Sequence, residues 1–174
     1  MRILFEALRG LLIDNLPAVQ AVAPLVATDI HIGHISELAD PQANDDVIGN
    51  GKVTLYQQGG NSVLPVAGWE TSLVIVQVWT RRGAYAAMQM YDWVSYTINQ
   101  RRSEITCKMQ TLPDSGAPPG SVLQGVCYTF YRQWKTGPLY DDRERVWYVT
   151  ARYFGQTADF ADLHAAWDTG TLRP

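Results

Sequence analysis

The sequence predicts an α+β fold: a mostly antiparallel sheet packed with two main helices and ending in a long C-terminal β-hairpin. Three observations carry the prediction. Apolar residues recur at spacings of three and four in Arg2–Asn15 and again in Ala84–Arg101, the period of an amphipathic helix. Glu70 to Thr80 is the most strongly apolar stretch, rich in valine and isoleucine, as expected of a central strand. From Ser121 to Gly155 the residues alternate with period two, with β-branched and aromatic side chains at both parities.

Taken in order, the first helix places Leu4, Leu8, Leu11, Leu12 and Asn15 on one face, while Glu6, Arg9 and Asp14 fall elsewhere. Pro17 suits the opening of a second short helix, Ala18 to Leu25, which Pro24 ends early. Ile30, Ile32 and Ile35 alternate loosely as a short strand. Leu38 to Gly51, with Pro41, Asn44, Asp45, Asp46, Gly49 and Asn50, reads as loop. Lys52 to Tyr56 is a short strand closed by Gln57-Gln58-Gly59-Gly60-Asn61. The helix Ala84–Arg101 presents Ala87, Tyr91, Val94 and Ile98, with Met88, Met90 and Trp93 beside them. Lying between strands, it suggests one crossover and so a mixed sheet. Thr111 to Gly120, rich in proline and glycine, is a loop into the hairpin. The domain is expected over 1–155, and the tail 156–174, with Phe160, Leu163 and Trp167 at helical spacing, as a short docking helix.

The hairpin is the most informative segment. Its arms are Ser121 to Trp134 and Val146 to Phe154, joined by a loop from Thr136 to Asp142. The first arm would extend about 45 Å at about 3.3 Å per residue. A domain of this length is only about 40 Å across, twice a radius of gyration of about 16 Å. The hairpin therefore either bends sharply or reaches beyond its domain. With large apolar side chains on both faces, one face is expected on the parent core and the other against another chain.

Composition excludes several function classes. Apolar residues make up 47% of the 174 and charged residues 18%, with a formal charge of −3. That describes a globular chain without the basic stripe of a DNA-reading protein. No apolar run approaches the roughly 18 residues of a membrane span. The first five residues are followed at once by Glu6, Arg9 and Asp14, unlike a signal peptide, so folding in a cytoplasm is expected. Cys107 and Cys127 lack metal-like spacing and read as reduced thiols.

Candidate chemistry is sparse. His31-Ile32-Gly33-His34 is closely spaced but lacks the following ligands of known metal motifs, and reads as an edge feature. Asp141, Asp142 and Glu144, interleaved with Arg143 and Arg145, read as a solvated turn rather than a Mg²⁺ site. Arg81 and Arg82 precede a helix and could meet a phosphate, or simply end a strand in solvent. Gly49-Asn50-Gly51 lacks the strand–glycine–helix context of a phosphate loop. No catalytic residue, cofactor or metal is expected, and the chain is read as a non-enzyme. An aromatic sheet lining a small-molecule pocket is the reading from another class.

The segment Leu11-Leu12-Ile13-Asp14-Asn15-Leu16-Pro17-Ala18-Val19-Gln20-Ala21-Val22 resembles the opening helix and Pro-Ala-Val of tailed-bacteriophage tail-terminator (tail-completion) proteins. Leu73 to Trp79 is similar to that family's central strand, followed by the turn Arg82-Gly83-Ala84 and the helix Ala86–Asn99. Gly125 to Trp134 and Arg145 to Tyr153 stand where the family has its final hairpin. The loop 37–51 and the tail from Gln156 look longer than a minimal member needs. The resemblance implies a structural virion protein of the tail or neck, assembled in the host cytoplasm as a hexameric ring. Such a ring stops polymerisation of the tail tube protein at its head-proximal end and offers a surface to the head–tail connector or head-closure protein. Genomic DNA would pass through the lumen without specific binding. Within that picture the expected subunit contacts are Tyr128, Phe130, Trp134, Trp147 and Tyr153. A head-closure or head–tail adaptor protein is the alternative of the same class.

Overall fold

A computed structural model describes residues 2–16, 25–35, 48–58, 69–113, 122–123 and 125–159. The architecture is α+β, as the sequence predicts, with a five-stranded mixed sheet and three helices. Helix α1 (Arg2–Asp14) buries Leu4, Leu8, Leu11 and Leu12 together with Ile3, Phe5 and Ala7. Asn15 ends it, and its side-chain amide donates to the Leu11 carbonyl at 2.7 Å. The short helix expected over Ala18 to Leu25 and most of the loop Leu38 to Gly51 lie outside the described residues.

Strand β1 (Ile30–Ile32) runs parallel to β2 (Lys52–Gln57), which is antiparallel to β3 (Trp69–Thr80). Helix α2 (Ala84–Gln100) buries Ala87, Tyr91, Val94 and Ile98, the face its periodicity predicts. A third helix, α3 (Arg102–Thr111), follows directly, with Arg101 as the C-cap of α2. Among the side chains of α3 that are described, Ile105 and Met109 are buried, and that sparse apolar content hid the helix from periodicity. Arg101 bridges the junction by pairing with Glu104 at 2.8 Å. Strands β4 (Leu112–Pro113) and β5 (Val122–Leu123) form a separate small sheet. The hairpin consists of β6 (Gly125–Asp141) and β7 (Val146–Asp159).

The main sheet has the order β1-β2-β3-β7-β6, so the strongly apolar strand β3 is central, as its composition predicts. The parallel pair lies at the β1–β2 edge, while β3 and β7, either side of α2 in sequence, are antiparallel. The crossover expected from α2 therefore does not create the mixed pairing. Val53, Leu55, Val74, Val76, Val78, Val149, Ala151 and Tyr153 point to one face and share a core with all three helices. The opposite face carries a smaller cluster of Ile48, Trp79 and Val146, with Ile35 and Tyr148 against it.

The hairpin stays on its parent sheet rather than reaching out. Every residue of β7 from Trp147 to Ala158 pairs with β3, from Thr80 back to Trp69, so the pair stays on the parent sheet. Three register shifts, each adding one residue to β6, accommodate 17 residues against 14. Such bulges bend a strand and increase its twist. Two expected boundaries move. The loop expected from Thr136 to Asp142 is strand as far as Asp141, with Gly137 and Pro138 opposing Val149 at the third bulge. Gly137 has φ +110°, and a Cβ there would lie 2.8 Å from the Tyr148 carbonyl oxygen. The tail expected from Gln156 begins as strand, since β7 continues to Asp159.

Candidate assembly surface

The bulges decide where each aromatic side chain of the hairpin goes. Phe130 and Arg132 lie opposite Gly155 and Tyr153 on the helix side of the sheet. The extra residue between Arg132 and Trp134 then resets the alternation, so Trp134 falls opposite Arg152 on the other side. Even-numbered residues of β6 thus do not share a face, as unbroken alternation would require. Tyr128 sits in the first bulge and is 48% exposed.

Of the five residues expected at a subunit contact, two belong to the chain's own core. Phe130 and Tyr153 are buried and stack on each other with centroids 5.2 Å apart at 7°. They are corrected from contact to core residues, because after the first bulge Phe130 falls on the helix side of the sheet, where Tyr153 also lies in the main core. Trp147 is half-buried against the same core and meets Tyr140 at 5.0 Å. Trp134 is half-buried beneath the Arg152 guanidinium, 5.4 Å from the ring centroid. Tyr128, Trp134 and Trp147 thus keep surface beyond the core, Tyr128 the most.

A polar cluster ties the edge strand to α2. The Arg132 guanidinium donates to the Tyr91 hydroxyl at 3.1 Å and to Ser95 Oγ at 3.4 Å. Lys135 places its ammonium 5.0 Å from the centre of the Tyr91 ring. Burial, with the neighbouring Tyr91, raises the Tyr153 phenol above its usual pKa against the opposing pull of Arg132. At the other end of β6 the Thr106 hydroxyl of α3 both accepts from the Cys127 N–H and donates to its carbonyl, each at 3.1 Å. That bond occupies the strand's outer edge at Cys127. Burial pushes the Cys127 thiol up to about 11 despite the nearby Arg102, so it is protonated at neutral pH.

The face away from the helices is organised in rows across β2, β3, β7 and β6. Register aligns Trp79, Tyr148 and Leu139 in one row. The next holds Thr54, Gln77, Thr150 and Thr136, all polar, and the one after it Tyr56, Ile75, Arg152 and Trp134. Leu73, Phe154 and Tyr131 follow, with Tyr131 and Phe154 5.3 Å apart. Within the polar row Gln77 Nε2 donates to Thr150 Oγ1 at 2.9 Å, and Trp79 Nε1 donates to Thr54 Oγ1 at 3.1 Å. Gln77 Oε1 and Arg152 Nε are buried without a hydrogen-bond partner. Periodicity pointed to Tyr131, Phe154 and Tyr148 as hairpin aromatics, but nothing in it distinguished Arg152.

At the hairpin tip, Asp141 Oδ1 accepts from the backbone N–H groups of Arg143 and Glu144, at 2.9 and 3.2 Å. This Asx turn gives Asp141 a structural task, in keeping with a solvated turn. Two concavities among the described residues are open grooves. One of about 390 Å³ between α3 and the start of β6 is lined by Asn99, Gln100, Arg102, Ser103, Thr106 and Tyr128 among others. A second of about 350 Å³ lies by Arg9, Thr28 and His31. Among the described residues no three His, Cys, Asp or Glu side chains gather where they could hold a metal ion. Among them, too, no helix is long and apolar enough to cross a membrane. Comparison with protein-family models finds no match for the chain, and comparison with curated proteins finds no significant relative.

Proposed function

We propose that this chain is a structural subunit that assembles with copies of itself, as a ring closing the head-proximal end of a phage tail tube. The observation that carries the reading is the edge strand β6. It is the outermost strand of the sheet and 17 residues long, and it exposes Tyr128, Tyr131, Leu139 and Tyr140. Long edge strands with exposed apolar side chains invite pairing, and proteins that keep them use them or blunt them. Here blunting is partial: Thr106 covers Cys127, and the bulges twist the strand, while the aromatics remain at the surface. A neighbouring copy would cover them, and the resemblance to tail terminators gives that neighbour its place in a ring. The tube would stop growing because one ring face pairs with its last layer and the other offers no site for a tube subunit.

The test is electron microscopy of the purified chain mixed with growing tail tubes of the phage that encodes it. A six-fold ring at one tube end, with growth arrested, is expected. A compact monomer without affinity for tubes overturns the proposal. Loss of the chain in the phage separates the two neck roles: overlong tubes support termination, whereas finished tails that fail to join heads assign it to an adaptor.

A further inference from the structure

We infer that the carboxy-terminal segment 160–174 of one copy adds as an extended strand to the outer edge of β6 in the next, with Asp162 at Lys135 and Asp168 at Arg102. The contact deepens the ring reading and rests on it. β6 is the outermost strand of the sheet, and beyond Cys127 its outward N–H and C=O groups have no backbone partner among the described residues. Helices α2 and α3 run beside it in the opposite direction. Lys135 Nζ lies 4.0 Å from Met88 Sδ, Arg132 reaches Tyr91 and Ser95, and Thr106 holds Cys127. Tyr128, Tyr131, Arg132, Lys135 and, on α3, Arg102 are exposed in the single chain, so a second chain can reach each of them. Extended peptides join such edges through main-chain hydrogen bonds, and side chains beside the edge select their sequence.

Charge and length select the occupant. From Gly125 to Tyr140 the charged residues are Arg132 and Lys135, and neither they nor Arg102 makes an ion pair among the described residues. Antiparallel pairing of two β6 strands centred here would set Arg132 against Lys135, like against like. The opposite sheet edge, β1, is three residues long and has its Ile30 carbonyl occupied by Arg9 at 3.0 Å. The segment 160–174 brings the complement. With strand period, Asp162 and Asp168 share one side, and Leu163, Ala165 and Trp167 the other. The two acids are six residues apart, about 20 Å at about 3.3 Å per residue. Lys135 and Tyr128, which lines one groove with Arg102, are seven residues apart with one absorbed by the second bulge, again about 20 Å. A segment laid antiparallel to β6 thus meets both cations on the helix side, and its Leu163 and Trp167 fall on the side of Trp134 and Tyr131. Its own chain cannot supply this contact. Asp159 pairs with Gly125, and the three residues on to Asp162 span about 10 Å, whereas Lys135 lies about 26 Å along β6. Each copy therefore gives a segment to one neighbour and an edge to another. A contact between two different patches is heterologous, and repeated around an axis it closes a ring.

The test is charge reversal in the full-length chain, read by sedimentation over a concentration series with and without tail tubes, with circular dichroism as the check on folding. Lys135→Glu and Asp162→Lys are each expected to weaken self-association about tenfold or more, and their combination to recover most of it. Arg102→Glu with Asp168→Arg should behave in the same way. The crossed combination of Lys135→Glu with Asp168→Arg should recover nothing, because the register keeps those two positions apart. Lys135 and Arg102 are exposed, so reversal there leaves the core intact. Self-association that ignores both Lys135→Glu and Asp162→Lys overturns this contact and leaves the ring reading standing. Recovery in the crossed combination, or none in the matched ones, overturns it too. A wild-type chain that stays monomeric with and without tubes overturns both the contact and the ring.

Discussion

Two aromatic pairs stand one residue apart on the same two strands and meet opposite fates. Phe130 stacks on Tyr153 at 5.2 Å, and Tyr131 tilts against Phe154 at 5.3 Å. The first pair is 2% and 0% exposed, whereas Tyr131 is 48% exposed. Nearly equal ring contacts thus form under a three-helix core and at a partly exposed place on the far face. The contact between rings is set by cross-strand register. Burial is set by what lies above the sheet, and only the second decides how much each pair contributes to folding.

The sharpest way to break the equivalence is to remove each ring. Phe130→Ala takes a buried aromatic from the main core and leaves a cavity against Leu4 and Tyr153, so a loss of about 3–5 kcal/mol is expected. Urea denaturation of the purified variant measures it. Little or no loss would mean that the Phe130 side of the hairpin is not the core side. Gly155 offers a smaller probe of the same packing. A Cβ there would stand 3.1 Å from the Phe130 ring and 3.3 Å from a Leu4 methyl, closer than ordinary contact. Gly155→Ala should cost about 1–3 kcal/mol by overpacking, and the same denaturation curves test it.

How much of this was legible follows from what the sequence encodes. The helical faces of α1 and α2 and the central place of β3 could be read, because long apolar periodicities survive tertiary context. Ala87, Tyr91, Val94 and Ile98 are buried as their spacing requires. Helix α3 could not, since among its described side chains Ile105 and Met109 carry the buried side. The hairpin's faces could not either. Alternation assumes one residue per step, and the extra residues at the three bulges shift parity without a sequence mark beyond Gly137-Pro138. Phe130, Trp134 and Tyr128 share a parity yet end in the core, on the far face and in a bulge. Arg152 looked like an ordinary strand residue, because nothing in sequence tells a solvated arginine from one seated over Trp134.

Titration probes the core side of β6 by a different route. Burial holds the Cys127 thiol protonated up to about 11, against a usual value of 9.0. Between those values the folded chain retains a proton that the unfolded chain releases. Stability should therefore be unaffected by this group below pH 9 and should fall as pH rises from 9 towards 11. Thermal melts across that range measure the decline, and Cys127→Ala should flatten it in part. The Tyr153 and Tyr56 phenols, both raised by burial, contribute in the same direction at the upper end, so they account for slope that survives in Cys127→Ala. A slope unchanged by Cys127→Ala would place that thiol in solvent.

The smallest effect on folding is expected at the exposed pair. Tyr131→Ala removes a cross-strand ring contact with Phe154 that water already reaches, and such pairs contribute about 0.2–1 kcal/mol. The stability of the isolated chain should fall by no more than about 1 kcal/mol, a fraction of the Phe130→Ala loss. Its consequence for assembly should be larger than for folding, because an aromatic side chain at the centre of a protein contact is where truncation costs most. Sedimentation of the variant beside its denaturation curve separates the two quantities. Weakened self-association with near-normal stability marks the Tyr131 face as a contact surface. A large stability loss would instead mean that this face, like that of Phe130, belongs to the core of the single chain.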